Sequence, residues 1–149
     1  MDDVSGRLAL AAEKCEKRNA RLTNKRKAVL SVMLESNKAL SAYEMIERFE
    51  KRFDEQLRPM SAYRILDFLE SMDLIHRLNI ANKFVACSHI TCDSEHELSQ
   101  FLVCQKCQRV EEVALKKAKF VELNKNITQA GFRLVSPQIE FNCICPLCA

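Results

Sequence analysis

Two cysteine pairs carry the clearest chemistry in the sequence: Cys104-Gln105-Lys106-Cys107 and Cys145-Pro146-Leu147-Cys148. Each CxxC knuckle presents two sulfurs on one turn, and four thiolates close a tetrahedron around a d10 ion such as zinc with no open position for a substrate. Such a site is structural. The knuckles are separated by 37 residues, so a strand-helix-strand excursion must bring them together. Cys143-Ile144-Cys145 offers a different second pair. On a strand Cys143 and Cys145 would face the same side, which leaves Cys143 as a spare or core thiol. A thioredoxin-like redox pair is not expected, since no βαβ pattern precedes either knuckle.

A looser set comprises His76, Cys87, His89, Cys92, His96 and the acids Glu111 and Glu112. Mixed imidazole, thiolate and carboxylate ligands make a weaker and more adjustable site than four thiolates, as a sensor of metal concentration requires. Spacing alone leaves His76 equally readable as a satisfied histidine beneath a hairpin, and Cys87 as a small buried hydrophobe. Cys15 and Cys92 are expected to be unliganded. A small zinc enzyme is the competing class: His76, Cys87 and His96 with Glu112 could imitate a three-ligand site with a general base. Four protein ligands leave no place for water, however, and no pocket signature for a small-molecule substrate is present, so no enzymatic activity is expected.

The elements that position these residues follow from periodicity. Residues 4–18 form an amphipathic helix through Val4, Leu8, Ala11, Ala12 and Cys15. Thr23 caps a second helix with the stripe Val29, Leu30, Val32, Met33 and Leu34, and Ser41 with Glu44 forms a capping box for a third. Pro59 and Ser61 open a fourth, with Ser61 as a cap. Two short strands, 74–80 and 83–87, then flank an Ala81-Asn82 turn. Three helices and a small hairpin make a winged helix-turn-helix, whose candidate reading helix is 61–71. Residues 88–100 read as a polar linker. Beyond it come strands at 101–103 and 109–115, a helix at 116–130 stopped by Gly131, and a strand at 132–141. That second unit is small enough for a metal and a second chain to be needed for its stability.

Composition narrows the function classes. The chain has 149 residues, 48% hydrophobic and 29% charged, which suits one compact domain or two small ones. Two glycines cannot build a glycine-rich phosphate cradle, which removes the common nucleotide-binding enzymes. No apolar run approaches the roughly 20 residues of a membrane span, and the eight cysteines carry no export-signal pattern ahead of them, so a cytoplasmic protein with reduced, metal-binding thiols and no membrane partner is expected. Residues 1–86 hold 16 Lys/Arg against 13 Asp/Glu, whereas the remainder is balanced. Lys14, Lys17, Arg18, Arg21, Lys25, Arg26 and Lys27 cluster against Glu16 alone, a patch suited either to phosphates or to being the solvated face of a helix.

Arg21-Leu22-Thr23-Asn24-Lys25-Arg26, Ser61-Ala62-Tyr63-Arg64-Ile65-Leu66, a His/Cys-bearing linker, CxxC-x-x-V-x-E at 104–112 and the second CxxC together resemble the ferric-uptake-regulator (Fur) family over nearly the whole chain. Ser41-Ala42-Tyr43, Tyr63 to Leu69, Ile75-His76 and Val85-Ala86-Cys87 are most similar to its zinc-sensing branch. The resemblance implies an α+β protein: an N-terminal winged-helix DNA-binding domain at 1–86, a hinge at 87–95 and a small α/β zinc-stabilised dimerisation domain at 96–149. It implies a homodimeric repressor of zinc-uptake genes on palindromic double-stranded DNA, with two zinc sites per chain. Cys104, Cys107, Cys145 and Cys148 would hold structural zinc, and His76, Cys87, His96 and Glu112 regulatory zinc, with His89 the alternative to His96. Tyr43, Tyr63, Arg64, Arg21, Lys25 and Arg26 would contact DNA. A family sensor of iron, manganese or peroxide is the alternative. Gln108 stands where the family has glycine after the first knuckle, so that turn must form without glycine's freedom.

Overall fold

The computed structural model describes residues 3–88, 90, 99–135 and 138–149. The chain divides into two compact units, Met1–Asp93 and Ser94–Ala149.

The first unit runs α1 (Val4–Lys17), α2 (Asn24–Glu35), α3 (Ala42–Phe53), α4 (Pro59–Ser71), β1 (Ile75–Leu78) and β2 (Lys83–Ala86). Each of the first three helices starts where a short polar side chain can receive an otherwise unpaired N–H: Asp3 for α1, Thr23 for α2, Ser41 for α3. At α4 the expectation changes. Arg58 is the N-cap without a side-chain cap, Pro59 opens the helix, and Ser61 lies inside it rather than capping it. Proline's fixed φ suits the first helical turn, where its missing N–H is no loss, so the helix begins two residues before the serine. With so few glycines, tight turns fall to Asn19, Asp54, Asp73 and Asn82, all at positive φ, where short polar side chains tolerate the left-handed conformation.

The core of this unit is continuous. Val29, Leu30 and Met33 of α2, Met45 and Phe49 of α3, Leu66 and Leu69 of α4, and Ile75 and Phe84 of the hairpin are all buried, and Cys15 closes it from α1. The antiparallel hairpin pairs Ile75 with Ala86 and Leu78 with Lys83. Two main-chain bonds between Leu40 and Phe84, at 2.9 and 2.7 Å, tie it to the segment before α3. The hairpin is therefore anchored by backbone as well as by side chains.

The second unit is a three-stranded sheet in the order β4-β3-β5, built from β3 (Ser99–Cys104), β4 (Val110–Ala114) and β5 (Gln138–Cys143), with α5 (Lys117–Gln129) between β4 and β5. β3 pairs antiparallel with β4 and parallel with β5. Strand β3 starts at Ser99, inside the expected linker, because Ser99, Phe101 and Val103 alternate onto one buried face. Strand β5 runs six residues from Gln138, not from Phe132, so Cys143 ends the strand and Cys145 lies beyond it; the two do not share a strand face. Gly131, at φ 86°, closes α5: its N–H bonds to Thr128 O and that of Phe132 to Ile127 O, a Schellman stop.

Glu44 links α3 to the hairpin. Its carboxylate accepts from Ser41 N at 3.2 Å and lies 3.0 Å from Lys83 Nζ. Burial alone would raise its pKa, but the Lys83 and Ser41 hydrogen bonds outweigh that and hold it below the ordinary value. A lowered folded pKa stabilises above the unfolded value, and that stability is lost as pH falls through the folded one. Glu44→Gln is expected to destabilise the chain by less than about 1 kcal/mol at neutral pH, since the pair is solvent-screened. In urea melts the difference should vanish in acid, where the wild-type carboxyl is neutral too.

Candidate metal centre and nucleic-acid face

Cys104 ends β3, Cys107 follows in the turn to β4, and Cys145 and Cys148 sit on a turn just past β5. Parallel pairing sets Cys104 opposite Cys143, and Gln105 N donates to Cys143 O at 2.9 Å, which delivers the second knuckle to the first. All four sulfurs lie within 4.8 Å of one another. Cys107 Sγ and Cys145 Sγ are 3.7 Å apart. Tetrahedral zinc with Zn–S bonds of about 2.3 Å needs sulfurs about 3.8 Å apart, so the set fits a soft tetrahedral cation. Cys143 stands outside this group, so the sulfurs that converge are those of the two CxxC knuckles.

The electrostatics agree with that fit. The Cys104 sulfur accepts from the backbone N–H groups of Cys107 and Cys145, which lowers its pKa to about 6. Cys148 is pushed up to about 12, because hydrogen bonds with the Cys145 and Cys107 sulfurs hold its proton and burial and the Cys104 charge add to the effect. Four crowded sulfurs can ionise together only with a cation among them. The turn supplying this cage carries Gln108 at φ 64°, a left-handed position taken without glycine, and Gln108 N bonds back to Cys104 O at 3.0 Å.

The looser ligand set is spread over both units. His76 is half-buried on β1, and Cys87, fully buried just after β2, donates its N–H to Leu74 O at 2.9 Å and accepts from the Arg7 guanidinium at 3.0 Å. Their ligand atoms lie within 4.8 Å of each other, a nitrogen donor on the hairpin and a sulfur donor directly after it. In the second unit Glu112 is half-buried on β4, where the Ser99 hydroxyl donates to its Oε1 at 2.8 Å, while Glu111 is exposed. Ser99 as the group that orients Glu112 escaped the sequence reading, although its period-two spacing with Phe101 and Val103 marks it as strand. His96, His89 and Cys92 lie outside the described residues.

On the first unit Tyr43 is 65% exposed at the start of α3, and Tyr63 and Arg64 project from the outer side of α4. The basic cluster is largely engaged within the unit. Arg18 meets Asp73 at 3.1 Å, Lys25 meets Glu55 at 3.3 Å, and Lys14 donates to Asp73 O at 3.4 Å. Arg26 is half-buried, its guanidinium 3.7 Å over the Phe68 ring and bonded to Arg21 O at 2.7 Å. It clamps α4 to α2. Arg21 keeps its side chain exposed.

Residues 17–142 match the model of the ferric uptake regulator family. The chain belongs to the ferric uptake regulator family. It is 30% identical over 141 residues to the zinc uptake regulation protein of Escherichia coli (strain K12), covering 95% of this chain and 80% of that one. A solved structure of a zinc uptake regulator complexed with zinc and DNA superimposes with a TM-score of 0.87 at 28% identity, covering 99% of this chain and 96% of that one. Holo XcZur gives a TM-score of 0.81 at 28% identity, covering 98% of each chain. The Helicobacter pylori ferric uptake regulator Fur, at 19% identity and a TM-score of 0.58 over 99% of this chain and 94% of that one, shares the fold. Family members are transcription regulators, and the zinc-enzyme alternative falls with that membership.

Removing one sulfur from the cage should have a different effect from removing the neighbouring thiol. Cys104→Ser is expected to lose the metal that survives mild chelation and, with it, most of the structure of residues 99–149. Cys143→Ser should keep the wild-type metal content in elemental analysis after dialysis.

Proposed function

We propose that this chain is a zinc-responsive transcriptional repressor of zinc-uptake genes, acting in the cytoplasm and binding palindromic operator DNA as a zinc-loaded homodimer. Similarity to zinc uptake regulators supports the zinc assignment over iron, manganese or peroxide sensing. The observation that carries it is the buried Cys87 thiol beside His76 on the hairpin, because a sulfur donor selects a softer ion than the oxygen-rich sites favoured by manganese.

Two ions per chain are proposed. Cys104, Cys107, Cys145 and Cys148 hold the structural one; His76, Cys87, His96 and Glu112 are the regulatory ligands. A bound zinc supplies charge neutralisation and a cross-link, and everything else is contributed by the chain. Cys87 and Glu112 carry two negative charges when ligating, and Ser99 keeps the Glu112 carboxylate oriented. Because the four regulatory ligands come from both units, ligation restricts the linker and raises the fraction of dimers whose reading helices match successive major-groove faces. The domain assignment is 1–86 for DNA binding, 87–95 for the hinge and 96–149 for dimerisation. Dimerisation through the second unit is supported by its apolar surface. No residue of α5 is buried, Val121 is 57% exposed and Phe132 72% exposed.

For DNA, Arg64 is the base reader, with guanine its usual partner, and Tyr43 and Tyr63 flank it. Arg21 and Lys25 add phosphate contacts; Arg26 contributes chiefly by holding α4 in place through Phe68.

The test is operator binding by fluorescence anisotropy as free zinc is buffered upward. Wild type should bind only as zinc rises, and Cys87→Ser should remain a folded dimer whose binding ignores zinc. Binding that follows iron, manganese or oxidant instead would overturn the zinc assignment. Arg64→Ala should lose about 1–3 kcal/mol of specific binding and keep most non-specific affinity; equal loss of both would make Arg64 a phosphate contact.

A further inference from the structure

Helix α4 separates two stripes. Ala62, Ile65, Leu66 and Leu69 face the core, whereas Met60, Tyr63, Arg64 and Asp67 recur three and four residues apart on the opposite, exposed face. Met60 is 69% exposed, more than any other large apolar side chain described in the first unit, including Tyr43 at 65% and Tyr63 at 41%. It occupies the first turn, directly after Pro59. A single exposed methionine is ordinary on a protein surface. What distinguishes this one is its place, one turn ahead of the arginine and tyrosine of a reading helix, in the part of such helices that meets base edges.

We propose that Met60 is a specificity-determining residue that reads the C5-methyl group of a thymine in the major groove. The inference rests on the DNA-binding function proposed above. The thymine methyl is the apolar group on the base edges of that groove, and a flexible, polarizable thioether side chain fits against it without competing for hydrogen bonds. Four helical residues span about 6 Å, against a base-pair rise of about 3.4 Å. The thymine therefore lies within about two base pairs of the base that Arg64 reaches. Burying one methyl changes affinity about fourfold, and a symmetric dimer feels this twice, about 16-fold for both half-sites.

The experiment uses the zinc-loaded full-length protein and a palindromic duplex selected by it from random sequence. Each thymine is replaced in symmetric pairs by deoxyuridine, which removes only the methyl group, and dissociation constants are read by anisotropy. One thymine pair should weaken wild-type binding about 16-fold when demethylated. Met60→Ala and Met60→Gln should both weaken binding to the thymine duplex and abolish the thymine/deoxyuridine difference at that pair, leaving the effects at other pairs unchanged. Met60 is exposed, so both variants should keep the wild-type circular dichroism. Equal weakening of thymine and deoxyuridine duplexes by the substitutions, or none, overturns the assignment. Failure of the underlying reading looks different: wild-type protein would then select no sequence at any zinc level, and the Met60 assignment would fall with it.

Discussion

Four sulfurs drawn from two places 37 residues apart must stand close enough to share one cation, and the second unit is organised around meeting that demand. The parallel pairing of β3 with β5 sets Cys104 opposite Cys143 and so carries Cys145 and Cys148 to the first knuckle. Parallel strands need a long crossover, which β4 and α5 supply. Among the described residues hydrophobic burial gives this arrangement little support, since α5 buries no residue and the buried residues of the sheet are Ser99, Phe101, Val103 and Cys104. Gln108 in the left-handed region shows the same priority, for the knuckle keeps its turn although the residue there is poorly suited to it.

The first unit is held by opposite means. Its helices and hairpin close over a continuous apolar core, and its polar groups chiefly fix one element against another. Arg18 reaches from just beyond α1 to Asp73 after α4, Glu44 joins α3 to β2, and Arg26 lays its guanidinium on Phe68 of α4. A cluster of positive charge that looks like a phosphate grip is thus partly a set of braces. Of these contacts the Arg26–Phe68 stack is made to α4 itself, and the outer stripe of that helix stays exposed, as the proposed reading of bases requires.

In the proposed mechanism these two designs meet through the regulatory ligands. His76 lies on, and Cys87 directly follows, the hairpin that is pinned to Leu40 and packed on the helices, so in this proposal whatever restrains them restrains the reading helix as well. Glu112 belongs to the strand next to the one that builds the thiolate cage, where Ser99 orients it. A tight, closed site that secures the scaffold and a mixed-donor site that responds to concentration are chemically distinct tasks, and the ligand types divide accordingly.

Much of this was legible in the residues. Helical stripes, caps at Thr23 and Ser41, the Asn82 turn, the Gly131 stop and the two CxxC knuckles are local signals, each written in a few neighbouring positions. The differences are one local competition and two effects of strand pairing and burial. Proline's preference for the first helical turn displaced Ser61 from the cap, and the buried alternation of Ser99, Phe101 and Val103 drew strand β3 out of a segment too polar to look like strand. Pairing with β3 runs from Gln138 to Cys143, two residues past the expected end of the strand. Which sulfurs converge and which arginines act as braces is beyond any local pattern. By itself the sequence determined the order of the elements, the two CxxC knuckles and the family, because those depend on neighbouring residues and their order. Only the tertiary structure decided that Cys143 stands aside, that Arg26 is stacked on Phe68 and that Met60 faces outward, because distance between residues far apart in the chain is set by packing and strand register.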